Sequence, residues 1–175
     1  MPREELRVLD SLDEIPRAEW DALLGPRATP FMRHAWLSAL EKSGCAAPRT
    51  GWIPRHLALF RAGQVITVAP AWAKDDSDGD FARDWDLAGS ISRGGVRYYP
   101  KLALTVPFTP CTGERVLVAP GEDRASCVGK MARAARRVCE QGGFPTWQVL
   151  FPDEEGAREL EQAGMALRVS YQFHW

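Results

Sequence analysis

The segment EDRASCVGKMARAARRVCEQGG, residues 122–143, constrains the fold more than any other part of the chain. Its apolar residues recur at helical spacing, at Val128, Met131, Ala135 and Val138. Strand-like runs lie on either side of it, YYPKLALTV before and TWQVLF after. A long one-sided helix between two strands predicts a fold in which helices cover a sheet.

Two shorter helices are predicted after a first strand, LRVLD. The first, PRAEWDALLG, has Pro16 at its start and Gly25 after its end. The second, TPFMRHAWLSALEKSG, has Thr29 as its expected cap and Pro30 at its first position. We expect a buried helix whose apolar face comprises Phe31, Ala35, Trp36 and Leu40.

The remaining elements alternate in the same manner. HLALFRAGQVITVAPAWAK predicts two strands joined by a turn at Ala62 and Gly63, and DFARDWDLAGSISRGG predicts a helix that gives way to a loop. DEEGARELEQAG predicts a short helix, and LRVSYQFHW a last strand that ends on Trp175. The order β-α-α-β-β-α-β-α-β-α-β indicates a single α/β (α+β) domain over residues 1–175, with a mixed sheet and helices on both faces.

Charge and composition argue against several classes of function. The formal net charge of -1 provides no overall attraction to nucleic acid or to an anionic membrane. The charged start, MPREELRVLD, does not fit a signal peptide, and no run approaches the roughly 18 apolar residues of a membrane span, so we expect a cytoplasmic protein. The four cysteines lack C-x-x-C spacing and the three histidines are isolated, so we expect no metal site.

The acidic stretch KDDSDGD, residues 74–80, has two interpretations. A calcium-binding EF-hand loop is excluded, because Lys74 and Trp85 would occupy its first and twelfth positions. Clustered Asp, Ser and Gly residues favour a solvated turn. The alternative is a loop at a ligand entrance, with Lys74 as an anion contact.

Five short motifs, GWIPRHLALF, YYPKL, VPFTPCTG, QVLFP and QFHW, carry a resemblance to a known family. The chain resembles the first half of bacterial peptidoglycan biosynthesis or recognition proteins, which are related to the FemAB aminoacyltransferases and to the GNAT acyltransferase superfamily. The resemblance implies a GNAT-like, mostly antiparallel sheet and a second GNAT-like half after QFHW. In one departure, the family's H-S-x-G-E-like segment is replaced by DDSDGDFARDW, although Lys74, Asp84 and Trp85 are kept.

A GNAT enzyme binds the coenzyme A diphosphate with a glycine-rich loop and the N-terminus of the following helix. The corresponding stretch, TPCTGERVLVAPGEDRAS, has only the separated Gly113 and Gly121, and its prolines lack N–H groups. Glu122 and Asp123 at the start of the helix repel a diphosphate. We expect no strong coenzyme binding by this chain alone, and leave acetyl-CoA, another acyl-CoA or aminoacyl-tRNA as ligands of an assembly.

The candidate catalytic residue is His174, on the polar face of the last strand, because an imidazole accepts a proton near neutral pH. An ordinary edge or core histidine is the alternative. The candidate substrate-binding residues are Lys74, Tyr99, Lys101, Phe108, Thr109, Thr112, Gly113 and Gln172. Lys101 is alternatively a solvated strand residue, and Tyr98, Tyr99 and Phe108 are alternatively packing residues.

The segment PFTPCTG is predicted to form a cleft wall, because its prolines remove donors that a central strand needs. Its open backbone suits an extended acyl or peptidyl group better than a diphosphate. The basic helix face of Lys130, Arg133 and Arg137 is either a transfer RNA contact or an ordinary solvated face.

Two functions stay open on these grounds. The first is transfer of an acyl or aminoacyl group to an amine, in peptidoglycan metabolism, by an assembly that contains this chain. The second is noncatalytic binding of a cell-wall fragment, a peptide or a partner protein. The open edge of the last strand predicts a homodimer or a companion GNAT-like half.

Overall fold

The structure is a computed structural model that describes residues 3–169. Its strands are β1 (Glu4–Leu9), β2 (Ile53–Pro54), β3 (His56–Arg61), β4 (Gln64–Ala69), β5 (Ala71–Lys74), β6 (Lys101–Leu104), β7 (Leu117–Val118) and β8 (Thr146–Val149). Its helices are α1 (Arg17–Asp21), α2 (His34–Lys42), α3 (Trp85–Arg93), α4 (Arg124–Gly142) and α5 (Glu154–Gln162).

The strands form two four-stranded sheets that adjoin at Pro70. The first sheet has the order β1-β3-β4-β7 and is antiparallel throughout. The second has the order β2-β5-β6-β8, in which only β6 and β8 are parallel. Since Pro70 lies between β4 and β5, one run of chain passes from the first sheet into the second. The predicted mixed, mostly antiparallel sheet is confirmed.

Helices cover both faces of the first sheet, as predicted. Successive strand residues point to opposite faces, so Leu57 packs in the core cluster under α4 while Ala58 packs in the cluster under α1 and α2. The α4 cluster includes all four of the predicted helix residues: Val128, Met131, Ala135 and Val138. Burying this face is the main packing contribution of α4.

The predicted hairpin is confirmed by the pairing of β3 with β4 around Ala62 and Gly63. Both turn residues have positive φ values, 50° and 81°, as a two-residue hairpin turn requires. Helix α4 spans 19 residues and is capped by the side chain of Asp123, with Gly143 in the left-handed conformation after its end.

The predicted second helix is only partly correct. A 3-10 turn at Pro30–Met32 precedes α2, and Thr29 makes no capping hydrogen bond. The buried residues of α2 are His34, Leu37 and Ser38, whereas Trp36 is 42% exposed. The expected apolar face was only partly correct, since Phe31 and Leu40 pack against the core whereas Ala35 and Trp36 are exposed. The reason is that the helix begins later than expected.

The segment DFARDWDLAGSISRGG is ordered the other way round from the prediction. Its first residues form a loop, and α3 begins only at Trp85. Residues 170–175, which hold most of the predicted last strand, lie outside the described residues. Within residues 3–169, no helix combines the length and apolar character that crossing a membrane requires.

Candidate functional site

Lys74 and Lys101 are buried beside each other in the second sheet. Lys74 ends β5, Lys101 begins β6, and the strand register pairs the two residues directly. Opposed residues of an antiparallel pair share one face of the sheet. Both lysines are 0% exposed, so the interpretation of Lys101 as a solvated strand residue is wrong.

Lys101 lies at the centre of a polar group that we call the lysine cluster. Its members are Lys101, Ser77, Asp80, Asp84, Tyr98 and Gln148. The Lys101 ammonium lies 2.7 Å from Asp80 and 2.8 Å from Asp84, and it donates to the Ser77 hydroxyl at 2.6 Å. Tyr98 donates to the same Asp84 oxygen at 2.6 Å, and the Gln148 amide donates to it at 3.1 Å. One carboxylate oxygen thus accepts from three donors.

The two aspartates of the lysine cluster respond differently to burial. Burial alone would raise the pKa of Asp84, but hydrogen bonds from Lys101 and Tyr98 outweigh it and lower that pKa to about 2. Burial raises the pKa of Asp80, although Lys101 opposes the change. Burial and the Asp84 charge also raise the pKa of Tyr98, which keeps its hydroxyl a donor. Asp84 is therefore the firmly ionised partner of Lys101.

Lys74 is neutralised mainly by the segment that follows it, residues 75–83, which we call the acidic loop. Its ammonium donates to the Asp78 carbonyl at 3.0 Å, lies 3.2 Å from the Asp76 carboxylate, and sits 3.9 Å from the centre of the Trp52 ring. Burial lowers the pKa of Lys74. Because Ser77 is 1% and Asp80 2% exposed, the acidic loop is not the solvated turn that its composition suggests.

The other candidate residues fall into two places. Tyr99 shares a hydrogen bond of 2.7 Å with Ser77, and the Phe108 ring lies 5.4 Å from the Trp52 ring. These two residues therefore border the buried lysines. Thr109 donates to the Pro107 carbonyl at 2.9 Å, Thr112 is exposed, and Gly113 lies beside the end of β8. His174 and Gln172 lie outside the described residues, so their proposed roles stay predictions.

Sequence reasoning did not select Ser77, Asp80, Asp84, Gln148 or Trp52 as site residues. Asp84 could have been selected from the sequence, because it is kept where the surrounding segment departs from the family's pattern. Gln148 could not have been, since it is one polar residue in an ordinary strand. Tyr98, interpreted as packing, is 2% exposed and is also a hydrogen-bond donor.

The predicted cleft wall leaves the sheet after β6 and then returns to it. Pairing of β6 with β8 ends near Leu104, and the chain comes back beside β8 at residues 111–116, which we call the plug segment. The Gly113 N–H donates to the Phe151 carbonyl at 3.1 Å, and the Asp153 N–H donates to the Gly113 carbonyl at 3.1 Å. The plug segment is therefore hydrogen-bonded to the residues that follow β8, whereas open backbone was predicted for PFTPCTG.

A buried arginine fixes the plug segment in position. Arg115 is 3% exposed and donates to the Leu150 carbonyl at 2.8 Å and to the Cys111 carbonyl. Burial lowers the pKa of Arg115 to about 10, which still leaves it charged at neutral pH. Arg115 lies next to a group of ion pairs, and we call these residues together the arginine network. Its members are Arg27, Glu114, Arg115, Arg124, Asp153 and Glu159.

The arginine network surrounds the start of α4. Glu114 is 4% exposed and lies 2.6 Å from Arg124 and 3.6 Å from Arg27. Arg124 also contacts Glu159 at 2.7 Å, and Arg27 contacts Asp153 at 3.1 Å. These contacts join α4 to α5 and to the segment before α2.

The residues at the start of α4 do not fit the coenzyme A diphosphate. A diphosphate needs free N–H groups at a helix N-terminus. Here the Asp123 side chain accepts from the Ser126 N–H, and Arg124 is already paired with Glu114 and Glu159. The plug segment lies beside the residues that follow β8. At the start of α4, a phosphate would therefore meet carboxylates and hydrogen-bond donors that are already paired.

A histidine and a carboxylate also lie together, His56 and Glu41, at 2.7 Å. A general base needs a ring nitrogen that is free to accept a proton. The Nδ1 atom of His56 already accepts from the Ala71 N–H at 3.1 Å, and its ring is 0% exposed. Burial lowers the pKa of His56, so this pair is a structural link between β3 and α2. Within residues 3–169, no group of three or more His, Cys, Asp or Glu residues could hold a metal ion.

Solved structures that resemble this chain are GNAT-type N-acetyltransferases. An aminoglycoside N-acetyltransferase AAC(6')-Iy in complex with coenzyme A has a TM-score of 0.58 at 12% identity, covering 100% of this chain and 95% of that one. The glucosamine-6-phosphate N-acetyltransferase from Arabidopsis thaliana has a TM-score of 0.51 at 11% identity, covering 99% of this chain and 98% of that one. At such identities the likeness shows the fold alone.

An aminoglycoside 6'-N-acetyltransferase from Acinetobacter baumannii gives a TM-score of 0.52 at 12% identity, over 98% of each chain. No curated protein matches the sequence. The family model of the FemAB-like proteins, described as peptidoglycan biosynthesis/recognition, matches residues 11–175. With the GNAT fold and this match over nearly its whole length, the chain belongs to the FemAB-like family.

Proposed function

We propose that this chain takes part in the transfer of an acyl or aminoacyl group to an amine in peptidoglycan metabolism, as one unit of an assembly. The observation that carries this proposal is a GNAT fold in which the start of α4 offers paired carboxylates and no phosphate cradle. The acyl donor is then bound by a second GNAT-like unit, either another copy of this chain or a companion half. This chain contributes the surface that binds and positions the acceptor.

The choice of donor follows from the same geometry. Acyl-CoA is the donor only where the second unit provides a phosphate cradle, since α4 of this chain has none to offer. An aminoacyl-tRNA donor would use the exposed Arg133, Arg136 and Arg137 on α4, because phosphates are held by exposed cations. Lys130 is less suited to this role, because it is paired with Glu4 at 2.7 Å.

Thermal denaturation of the chain with millimolar acetyl-CoA tests the central claim. A ligand at 100 times its dissociation constant stabilises the folded state by about 2.7 kcal/mol. We expect no such shift for the chain alone, together with acyl transfer to a lysine-containing peptidoglycan peptide once a second unit is supplied. A clear rise in the melting temperature of the isolated chain with acetyl-CoA would contradict the proposal that a second unit binds the acyl donor.

A noncatalytic module that binds a cell-wall fragment, a peptide or a partner protein is the second candidate. The poor fit of the start of α4 to a diphosphate favours it for the chain on its own. Binding of the acceptor peptide, with no transfer under any combination of acyl-CoA, aminoacyl-tRNA and second unit, would support this candidate over the first. Sedimentation at several concentrations would show whether the second unit is another copy of the chain.

A further inference from the structure

Two fully buried lysines directly opposite each other need an explanation. Lysine is almost never fully buried unless it is paired, and like charges on opposed strand residues are destabilising. Lys74 and Lys101 nevertheless occupy one cross-strand pair. A sheet that required only packing would place apolar residues there, as it does at the next pair, Ala73 and Leu102.

The acidic loop supplies most of the groups that satisfy these lysines. Asp76 and the Asp78 carbonyl contact Lys74, while Ser77 and Asp80 contact Lys101. Asp84 is the exception, because it is the residue that precedes α3 and lies outside the loop. The acidic loop therefore provides negative charge from within the chain to both buried lysines.

The backbone of the acidic loop is costly to hold in this conformation. Gly79, Phe81 and Arg83 have φ values of 73°, 59° and 51°, and a left-handed conformation costs a non-glycine residue about 1 kcal/mol. The Phe81 side chain is 49% exposed, so burying it gives little in return. The loop is held mainly by its polar contacts with the lysines and by the Phe108 N–H, which donates to the Gly79 carbonyl at 3.1 Å.

Two buried polar atoms beside the lysines have neither a hydrogen-bond partner nor an ion-pair partner within the described residues. They are Asp84 Oδ1, an acceptor, and Trp52 Nε1, a donor. Each such atom costs about 1–3 kcal/mol in a closed structure. The site therefore keeps one acceptor and one donor that the acidic loop does not use.

We propose that the acidic loop is a lid, and that the carboxylate of a peptide or acylated amino acid displaces it and binds Lys74 and Lys101. This deepens the proposed function by naming the acceptor class, and the acceptor surface is the part of that function on which it rests. The ligand carboxylate replaces Asp76 and Asp80, and its neighbouring amide N–H is the donor that Asp84 Oδ1 lacks.

The charge balance selects a single carboxylate. With the acidic loop displaced, Lys74, Lys101 and Asp84 leave a net charge of +1. One carboxylate neutralises this charge, whereas a phosphate monoester would leave an excess negative charge in a buried site, which is unfavourable. The aromatic rings of Trp52, Tyr98 and Tyr99 border the lysines and suit the apolar part of such a ligand.

Hydrogen–deuterium exchange of residues 75–83 in the full chain tests the proposal. The probes are N-acetyl-dialanine as the free acid, its C-terminal amide, and inorganic phosphate at equal ionic strength. Without a probe, we expect the lid to exchange at least about tenfold faster than β5 and β6, because local opening needs less free energy than global unfolding. The free acid should accelerate exchange of the lid further, while the amide and phosphate should not.

Substitution of the lid's own carboxylate provides the second measurement. Asp80→Asn weakens the internal competitor and should tighten binding of the free acid about tenfold, equivalent to about 1.4 kcal/mol. Asp75→Asn is the matched control, because Asp75 lies in the same loop, is exposed and makes no ion pair among residues 3–169. It should leave the affinity unchanged. Neither variant removes a lysine, so both are expected to fold.

Three results would overturn the proposal. The first is equal behaviour of the free acid and the amide, and the second is a phosphate effect as large as that of the acid. The third is an affinity that Asp80→Asn and Asp75→Asn change alike. None of these measurements involves acyl transfer, so the assembly proposed above can fail while the lid and its carboxylate site stand, and the reverse also holds.

Discussion

The lysine cluster is a largely buried ionic group, the arginine network is a partly buried one, and the two are built differently. Lys101 is a compact cation whose partners come chiefly from one neighbouring loop and the start of α3. Arg115 and Arg124 hold carbonyls and carboxylates that lie between Cys111 and Glu159 in the chain. Removing one loop would open the first group, whereas several elements would have to separate to open the second.

The chemistry of the two cations matches this difference. A guanidinium has five donors in a planar fork, so it can bind several fixed acceptors at once. An ammonium is a point charge on a flexible stem, and it exchanges one anion for another with little rearrangement. The arginine network therefore holds the plug segment and the start of α4 in place, and the lysine cluster remains suited to a ligand.

Loss of the Lys101 charge should have the largest effect on stability. Lys101→Met leaves Asp84 buried without its cation, and removal of one partner of a buried pair costs about 3–5 kcal/mol. Urea unfolding at neutral pH measures this loss. Lys42→Met is the control, since Lys42 pairs with Asp13 at the exposed surface and should change little. Similar losses in both variants would contradict the burial argument.

Even a conservative substitution in the arginine network should destabilise the protein. Arg115→Lys keeps the charge but cannot reach both the Leu150 and Cys111 carbonyls, so we expect a loss of about 2–3 kcal/mol from buried acceptors left unpaired. The free energy of unfolding is again the measurement. A fully stable Arg115→Lys protein would remove the distinction between the two groups.

Acid should weaken the lysine cluster through Asp84. Its folded-state pKa is about 2 and its unfolded-state value about 3.9, so its contribution is complete above about pH 5 and is lost as the pH falls toward 2. The difference in unfolding free energy between the wild type and Asp84→Asn should narrow by about 2 kcal/mol over that range. The pKa of Asp80 is raised mainly by burial, which both proteins share and which acts in the opposite direction. A constant difference across this pH range would contradict the assignment.

The smallest expected effect concerns the backbone of the acidic loop. Phe81→Asn should raise stability by up to about 0.5 kcal/mol, since asparagine tolerates the left-handed conformation better than phenylalanine. Chemical denaturation measures the change, and Phe60→Asn, in the extended strand β3, is expected to destabilise instead. A destabilised Phe81→Asn protein would indicate that the Phe81 ring holds the loop closed.

Much of the fold was predictable because it depends on local periodicity. The buried face of α4 and the turn at Ala62 and Gly63 follow from residue spacing and turn chemistry. The apolar face of α2 was not predictable in this way, because a 3-10 turn shifts the start of the helix. At the site, Lys74, Lys101 and Tyr99 were selected from the sequence, but the aspartates that pair with the lysines were not.

The alternation of helices and strands, the family and the weak coenzyme motif are all recognisable in the sequence, because each depends on residues that are neighbours in the chain. The opposition of Lys74 and Lys101 and the position of Asp80 and Asp84 around Lys101 are visible only in the folded protein. These contacts cannot be deduced locally, because strand register and burial depend on the whole sheet. A cluster of aspartates that is solvated in a free loop becomes a set of counter-ions once the fold places two cations beneath it.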